Sequence, residues 1–401
     1  MKRHALALLV AIAATSTPAA AAECGGKWTA WKSGVASEAL AEGASRRTVD
    51  RVIPRLQRSQ RVIDRDRRQG VFNQTWVTFA SRMANDFRLR TGRKKIARDE
   101  ALFDRVRDEY GVAPEVVTSL WGLETDFSSG MGDFDTLNAL ATLAHDCRRP
   151  ERFRPELIAA LRLIDRMDVA FAPGVTGAWA GEIGGTQMLP HDILLYGTDG
   201  DGDARIDLKR SGADVVVSTA AFLKGLGWRA GEPWLEEVRV PDGLDWTKAG
   251  RDIKLSSSEW LAMGVRARDG DLDGDRAGDD GGADIPAALI APMGRSGPTF
   301  LAYRNFDVFT EWNKSYVYSL TAAYTAMRMA GAPRVDVGSP ERGLSVDQMK
   351  GLQEKLAARG HDVGKVDGIL GLGTRRAVRA EQARLGMPAD SWPTPSLLNA
   401  L

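Results

Sequence analysis

The sequence predicts a mainly α protein (α+β overall) with a small accessory lobe and a separate three-helix tail. Three observations carry that expectation. Through the first half of the chain, apolar residues recur at helical spacing and strand-type alternation is scarce. Between Trp228 and Arg266, polar and apolar residues alternate between Pro and Gly breaks, which suits a lobe with some strand. Residues 333–342 are rich in Pro, Gly and charge, the composition of a linker, and residues 343–401 fall into short helices parted by Gly/Asp turns. With 401 residues, 43% of them hydrophobic and 27% charged, the chain can fill more than one core. A net charge of +1 gives no global attraction to nucleic acid or an anionic membrane.

Taken in order, residues 1–22 join a basic start, a short apolar run and a small-residue end, as a secretory signal does, with cleavage expected near Ala22. Glu23 stands where a lipoprotein signal needs a small residue, so lipidation of Cys24 is not expected. Cys24 and Cys147 are then the two cysteines of an exported chain, and a disulfide between them is the simplest expectation, with two free thiols as the alternative. Trp28 to Arg68 reads as helical with a break at Pro54, 73–93 continues in that manner, and Arg98 to Tyr110 reads as one amphipathic helix ending at Gly111.

Pro114 opens the next helix. Val117, Leu120 and Trp121 recur on one stripe, and Glu124 falls on that stripe with them. A carboxyl on a stripe meant for burial must be paired, or neutral through a raised pKa. A raised pKa is also what a general acid for glycoside cleavage needs. A core-edge glutamate in a salt bridge is the plainer alternative. Arg154 to Met167 is again helical, with Leu157, Leu161 and Ile164 on one face.

Gly177 to Pro190 surrounds Trp179 with glycines and alanines and closes on Gln187 and Pro190. Small residues there permit close backbone approach along a cleft, or equally a tight helix crossing. Next, Asp199, Asp201, Asp203 and Asp207 occupy positions one, three, five and nine of a calcium loop, with the Arg205 carbonyl at seven. Arg210 stands at twelve in place of the usual Glu, and Asp214 is the candidate replacement. A structural calcium ion is expected there, against a solvated acidic turn. The second acidic run, Asp269 to Asp284, lacks that register and reads as a surface loop. Phe300 to Ala332 is helical and aromatic; Tyr303, Trp312 and Tyr316 beside Asn305 and Asn313 suit sugar faces and acetamido groups, or core packing.

Together these residues carry a resemblance. Gly122-Leu123-Glu124-Thr125, the helix Leu137 to Leu143, the segment Trp179-Ala180-Gly181 with Gln187 and Pro190, the loop Asp199 to Asp214 and Trp312-Asn313-Lys314-Ser315 resemble the lytic murein transglycosylases of the membrane-bound B type. The tail, through Leu352-Gln353, Leu356, Gly360, Val366-Asp367-Gly368, Leu370-Gly371, Thr374, Ala377, Gln382 and Leu397-Leu398, is similar to the three-helix peptidoglycan-binding domain.

The resemblance implies a lysozyme-like helical catalytic domain over 23–332 with its accessory lobe at about 229–290, a linker over 333–342 and a peptidoglycan-binding domain over 343–401. It implies Glu124 as catalytic acid and then base, with no cofactor needed for chemistry. Gln187, Asn313, Trp179, Tyr303, Trp312 and Tyr316 are the expected substrate-binding residues. Peptidoglycan glycan strands are the implied partner, other cell-wall enzymes are further candidates, and the expected setting is a periplasmic monomer. The sequence departs from the resembled pattern at Ala178, where a Ser is usual, at Glu182 and Ile183, and at Trp312, where a Tyr is common. The loss of a hydroxyl at 178 leaves open how Glu124 is oriented.

Overall fold

The computed structural model describes residues 24–68, 74–270, 272 and 284–401. The leader and its cleavage point lie outside the described residues, as does most of the second acidic run. Among the described residues, no helix is long and apolar enough to cross a membrane.

The chain opens with α1 (Trp28–Ala41), α2 (Arg46–Val52) and α3 (Gln60–Arg67), with Pro54 in a short 3-10 turn between the last two. Ser45 caps α2 by accepting from the Thr48 amide. The same turn is anchored from afar, because Asp165 accepts from the Ser45 amide at 2.6 Å and the Thr48 hydroxyl at 2.6 Å. Next come α4 (Trp76–Met83), α5 (Asp86–Arg98) and α6 (Glu100–Arg105). The single helix expected over 98–110 is in fact broken. Asp99 leaves helical geometry at φ −114°, and the run ends in one π turn, Val106–Tyr110. Gly111, at φ 71°, stops it as expected, and a Cβ there would meet the Cβ of Ala230 at 2.5 Å.

The central helix α7 (Pro114–Thr125) is buried along nearly its whole length. Pro114 sits in its first turn, and Val117 and Leu120 are fully enclosed. It packs against α5 and against two helices that come later in the chain, α11 (Gly212–Gly225) and α14 (Tyr316–Met329). Before these lie α8 (Thr136–His145), α9 (Pro150–Asp165) and α10 (Pro190–Tyr196), which form a second helical layer. A two-stranded ribbon, β1 (Phe134–Asp135) with β2 (Thr176–Gly177), pairs Phe134 with Gly177. Cys24 and Cys147 are disulfide-bonded, with Cα atoms 5.1 Å apart, tying the start of the described chain to the end of α8.

The accessory lobe is a four-stranded antiparallel sheet in the order β4-β3-β6-β5, with α12 (Ser257–Ala262) beside it. Its strands are β3 (Leu235–Arg239), β4 (Arg266–Ala267), β5 (Ala288–Ile290) and β6 (Phe300–Ala302). β6 pairs with both β3 and β5, so Phe300 begins as a central strand and the helices of that segment start only later. The lobe has its own core, including Val238, Trp260, Leu289, Leu301 and Tyr303. α13 (Arg304–Trp312) and α14 then return the chain to the main domain.

The tail folds as α15 (Val346–Ala358), α16 (Leu372–Arg384) and α17 (Pro395–Ala400) around Leu352, Leu356, Val378 and Leu397. It docks on the accessory lobe. Arg379 pairs with Asp252 at 2.6 Å and donates to the Ala249 carbonyl at 2.8 Å, while Asp390 accepts from the Arg295 amide at 3.0 Å. Gly250, at φ 139°, makes that approach possible: a Cβ there would overlap Arg379 Nη1.

Candidate active site

Glu124 occupies the last turn of α7, one residue before the helix ends. The stop is abrupt, because Asp126, Phe127 and Ser128 all take left-handed backbone angles, at φ 49°, 59° and 73°. Non-glycine residues adopt such angles only where surrounding contacts impose them. Here the Thr125 hydroxyl donates to the Gly185 carbonyl at 2.5 Å and accepts from the Ser128 amide at 2.9 Å, while Arg88 pairs with Asp126 at 2.6 Å. The helix end carrying Glu124 is therefore stapled to the small-residue segment beyond Gly177.

The carboxyl itself is enclosed by aromatics from the far end of the domain. Glu124 Oε1 accepts from the Trp312 indole at 3.1 Å and from the Tyr318 hydroxyl. Burial pushes the Glu124 pKa up; the Tyr318 and Trp312 hydrogen bonds pull it down without cancelling that, and the charge of Glu182 adds to the rise. A carboxyl so held keeps its proton at pH values where an ordinary one has lost it. It is fixed in direction by two donors on one oxygen, so no hydroxyl at position 178 is needed to orient it.

Tyr318 is absent from the residues that sequence reasoning singled out. It and Tyr316 stand two positions apart in the first turn of α14, on opposite faces. Tyr318 meets Glu124, and its own pKa is pushed well above the ordinary phenol value by burial first and by Glu124 second. Tyr316 faces the tail, with the Arg375 guanidinium 4.7 Å from its ring centroid. A β-strand or helix pattern cannot say which of two neighbouring tyrosines reaches a given glutamate, and the one available clue was Tyr318's place beside Trp312-Asn313.

The other expected residues divide. Trp179 and Gln187 line one groove of about 640 Å³ together with Arg61, Phe134 and Ala178. Gln187 has a left-handed backbone, φ 57°, and its amide donates to the Gly184 carbonyl at 2.8 Å. Asn313 joins α13 to α14; its side-chain oxygen accepts from the Ser315 amide at 2.9 Å, beside Trp312. Tyr303 departs from expectation. It is fully buried in the lobe core and its hydroxyl donates to Glu236 at 2.7 Å, so it has no face to offer a sugar. Tyr316 is placed away from Glu124, at the junction with the tail and against Arg375.

Glu182 is a second carboxyl on the same segment. Its Oε2 is buried without a hydrogen-bond partner among the described residues. Burial raises its pKa, against the attraction of Arg152 and Arg149, which favours the neutral form.

In the acidic loop, Asp199, Asp201 and Asp203 bring one oxygen each to within 4.8 Å of one another. Hard oxygen donors at this spacing fit a calcium ion. Desolvation pushes Asp199 up, but the Gly202 and Ala204 amides outweigh it and leave the carboxyl below its usual range. Asp207 and Asp214 lie outside that trio. Asp207 accepts from the Lys209 amide at 3.0 Å. Asp214 is buried at the base of the loop, where its two oxygens accept from Gly200 at 2.8 Å and Asp207 at 2.6 Å. Arg205 exposes its side chain, and its amide donates to Asp203 at 2.8 Å.

A helical domain that encloses one carboxyl of raised pKa, with a small helical module docked on its accessory lobe, defines a class. Residues 27–327 match the Transglycosylase SLT domain family and residues 345–401 a family described as a putative peptidoglycan binding domain. The chain belongs to the SLT transglycosylases, and to their B type. SltB3 from Pseudomonas aeruginosa, solved in complex with NAG-anhNAM-pentapeptide, is 36% identical with a TM-score of 0.82, over 94% of this chain and 99% of that one. Soluble lytic transglycosylase SltB1 of the same species is 26% identical with a TM-score of 0.64, over 75% of this chain and 98% of that one. Membrane-bound lytic murein transglycosylase B of Escherichia coli (strain K12) is 30% identical over 161 residues, 40% of this chain, and the match spans 44% of that relative's length.

Proposed function

We propose that this protein cleaves the β-1,4 bond between N-acetylmuramic acid and N-acetylglucosamine in peptidoglycan without consuming water, leaving 1,6-anhydromuramic acid ends. The observation that carries this reading is the enclosed Glu124 carboxyl, with Trp312 and Tyr318 donating to one oxygen and its pKa raised by burial. The protonated carboxyl gives its proton to the glycosidic oxygen as the bond to the anomeric carbon breaks. The substrate's own acetamido group stabilises the electron-poor centre. Glu124, now a carboxylate held by the two donors, takes the proton of the muramic C6 hydroxyl. That oxygen then closes on the anomeric carbon, and the enzyme regains its starting state.

Trp179 and Gln187 supply a wall and an amide along the groove, and Asn313 stands beside the Trp312 donor. Asp199, Asp201 and Asp203 hold a calcium ion that braces the loop and takes no part in the chemistry. The tail holds the enzyme on the wall. The leader over 1–22 directs export to the periplasm, where the protein acts as a monomer.

A water-using muramidase is the rival, and Glu182 is the feature that favours it, since a second carboxyl can position water. Burial raises its pKa and its Oε2 has no hydrogen-bond partner among the described residues, whereas Glu124 is the carboxyl held by two donors. Mass spectrometry of digested peptidoglycan decides: muropeptides lighter by one water are expected, and products with reducing ends overturn the proposal.

A further inference from the structure

The junction between the catalytic domain and the tail holds a buried cation that the proposed chemistry does not use. Arg375, on α16, is only 8% exposed. Its guanidinium donates from Nη2 to the Pro292 carbonyl at 2.8 Å, while Nε is buried with no partner. Asp390 is the carboxylate whose charge acts on it, yet the Asp390 oxygens are spent on Gln382 Nε2 at 2.8 Å, the Trp392 amide at 3.0 Å and the Arg295 amide at 3.0 Å. Among the described residues, no ion pair neutralises Arg375. A buried charge left this way is costly unless a ligand completes it.

Space for that ligand exists on both sides. One cavity of about 800 Å³ is lined by Lys314, Tyr316, Leu344, Arg375 and Trp392. A second, of about 490 Å³, is lined by Tyr316 and Arg375 again, with Arg251, Arg376 and Arg379. Arg375 thus stands between two pockets. In the smaller one Arg379 and Arg251 are paired with Asp252 and Asp307, whereas the larger sets Lys314 and Arg342 against Glu341 alone. The rings of Tyr316 and Trp392 wall the guanidinium, with centroids 4.7 and 6.0 Å from its carbon. A planar fork of donors between aromatic walls suits a carboxylate carried on a small apolar chain. Lys314 and Ser315, on the rim of the larger cavity, directly follow Trp312 and Asn313 of the Glu124 site.

We propose that Arg375 binds the free carboxylate of a peptidoglycan peptide stem in this junction, so that a strand engaged at Glu124 is gripped a second time through its peptide. The proposal rests on the transglycosylase reading for its substrate class. Catalytic domain and tail then act as two walls of one binding site.

The test is calorimetric titration of the full chain with a stem peptide bearing a free C-terminal carboxylate and with the same peptide amidated. The acid should bind about tenfold more tightly than the amide, the size of a lost charge-assisted contact. Arg375→Met should remove that preference, and Arg375→Lys should restore part of it. Equal affinity of the wild-type chain for acid and amide overturns the proposal, and this comparison stands even where a variant does not fold. Arg375→Met weakening both peptides alike also overturns it, as a purely structural role. A wild-type chain that prefers the acid but cleaves no glycan supports the carboxylate site while removing the enzymatic reading of Glu124.

Discussion

Around Glu124 one carboxyl is enclosed by an indole and a phenol, whereas around Asp199 three carboxyls crowd together at the surface. In the first setting desolvation dominates and the group is held toward its protonated form. In the second, Asp201 and Asp203 are open to solvent and the loop's own amides hold Asp199 below its usual range. The same functional group has its pKa raised by helices packed from far along the chain, and is gathered into an acidic cluster by a few residues of local backbone. Distant packing sets the first property, and local turn geometry sets the second.

That contrast is most sharply tested by removing the carboxyl. Glu124→Gln keeps the shape and both donors' surroundings but leaves no acid, and turnover of peptidoglycan should fall by about 10²–10⁴-fold, read as released muropeptides. Unchanged turnover would break the assignment. The loop is tested by chelation. At roughly a hundredfold excess over its dissociation constant, calcium should stabilise the fold by about 2.7 kcal/mol, visible as a melting temperature that falls on chelator addition. Joint replacement of Asp201→Asn and Asp203→Asn should abolish that response, and a chelator-indifferent wild type counts against the metal.

Smaller effects test the raised pKa. Tyr318→Phe removes a hydrogen bond that favours the charged form of Glu124, so its pKa should rise further. The basic limb of the pH–rate profile should then move to higher pH, with a rate loss on the order of tenfold. A limb moving the other way would show that Tyr318 does not serve the carboxylate. Glu156 offers the gentlest test. Burial lifts its pKa to about 7, against the His191 amide and with help from the Asp192 charge. The folded chain therefore holds this proton more tightly than the unfolded one. That stabilisation is complete below the ordinary value of 4.5 and is lost as pH rises through about 7. Glu156→Gln should make the melting temperature less dependent on pH across that window.

Much of the fold was legible because it is locally encoded. Pro114 and Gly111 punctuate the chain where the sequence says they should, and the tail falls into three short helices parted by turns as expected. Glu124 stood out as a carboxyl on an apolar stripe. Its partners did not, because Trp312 and Tyr318 are 188 and 194 residues away and only tertiary packing brings them over. The aromatic stretch from Phe300 was ambiguous for the same reason. Tyr303 follows a central strand and Tyr316 faces the tail, yet both read as aromatics near amides, while Tyr318, which meets the carboxyl, was not marked. The acidic loop shows the converse: spacing alone marked Asp199, Asp201 and Asp203, because a few residues of local backbone bring them together.

The first turn of α14 carries Tyr316 and Tyr318 about 200° apart around the helix axis, a separation set by helical geometry alone. One ring is seated on the tail and the other on Glu124. This helix consequently has no rotational latitude: turning it to improve one seat unseats the other. An insertion or deletion upstream of Tyr316 would have to preserve the helical phase of both tyrosines at once. Segments that drift freely in related chains should therefore be found before Arg304 or after Met329, with the stretch between them fixed in length.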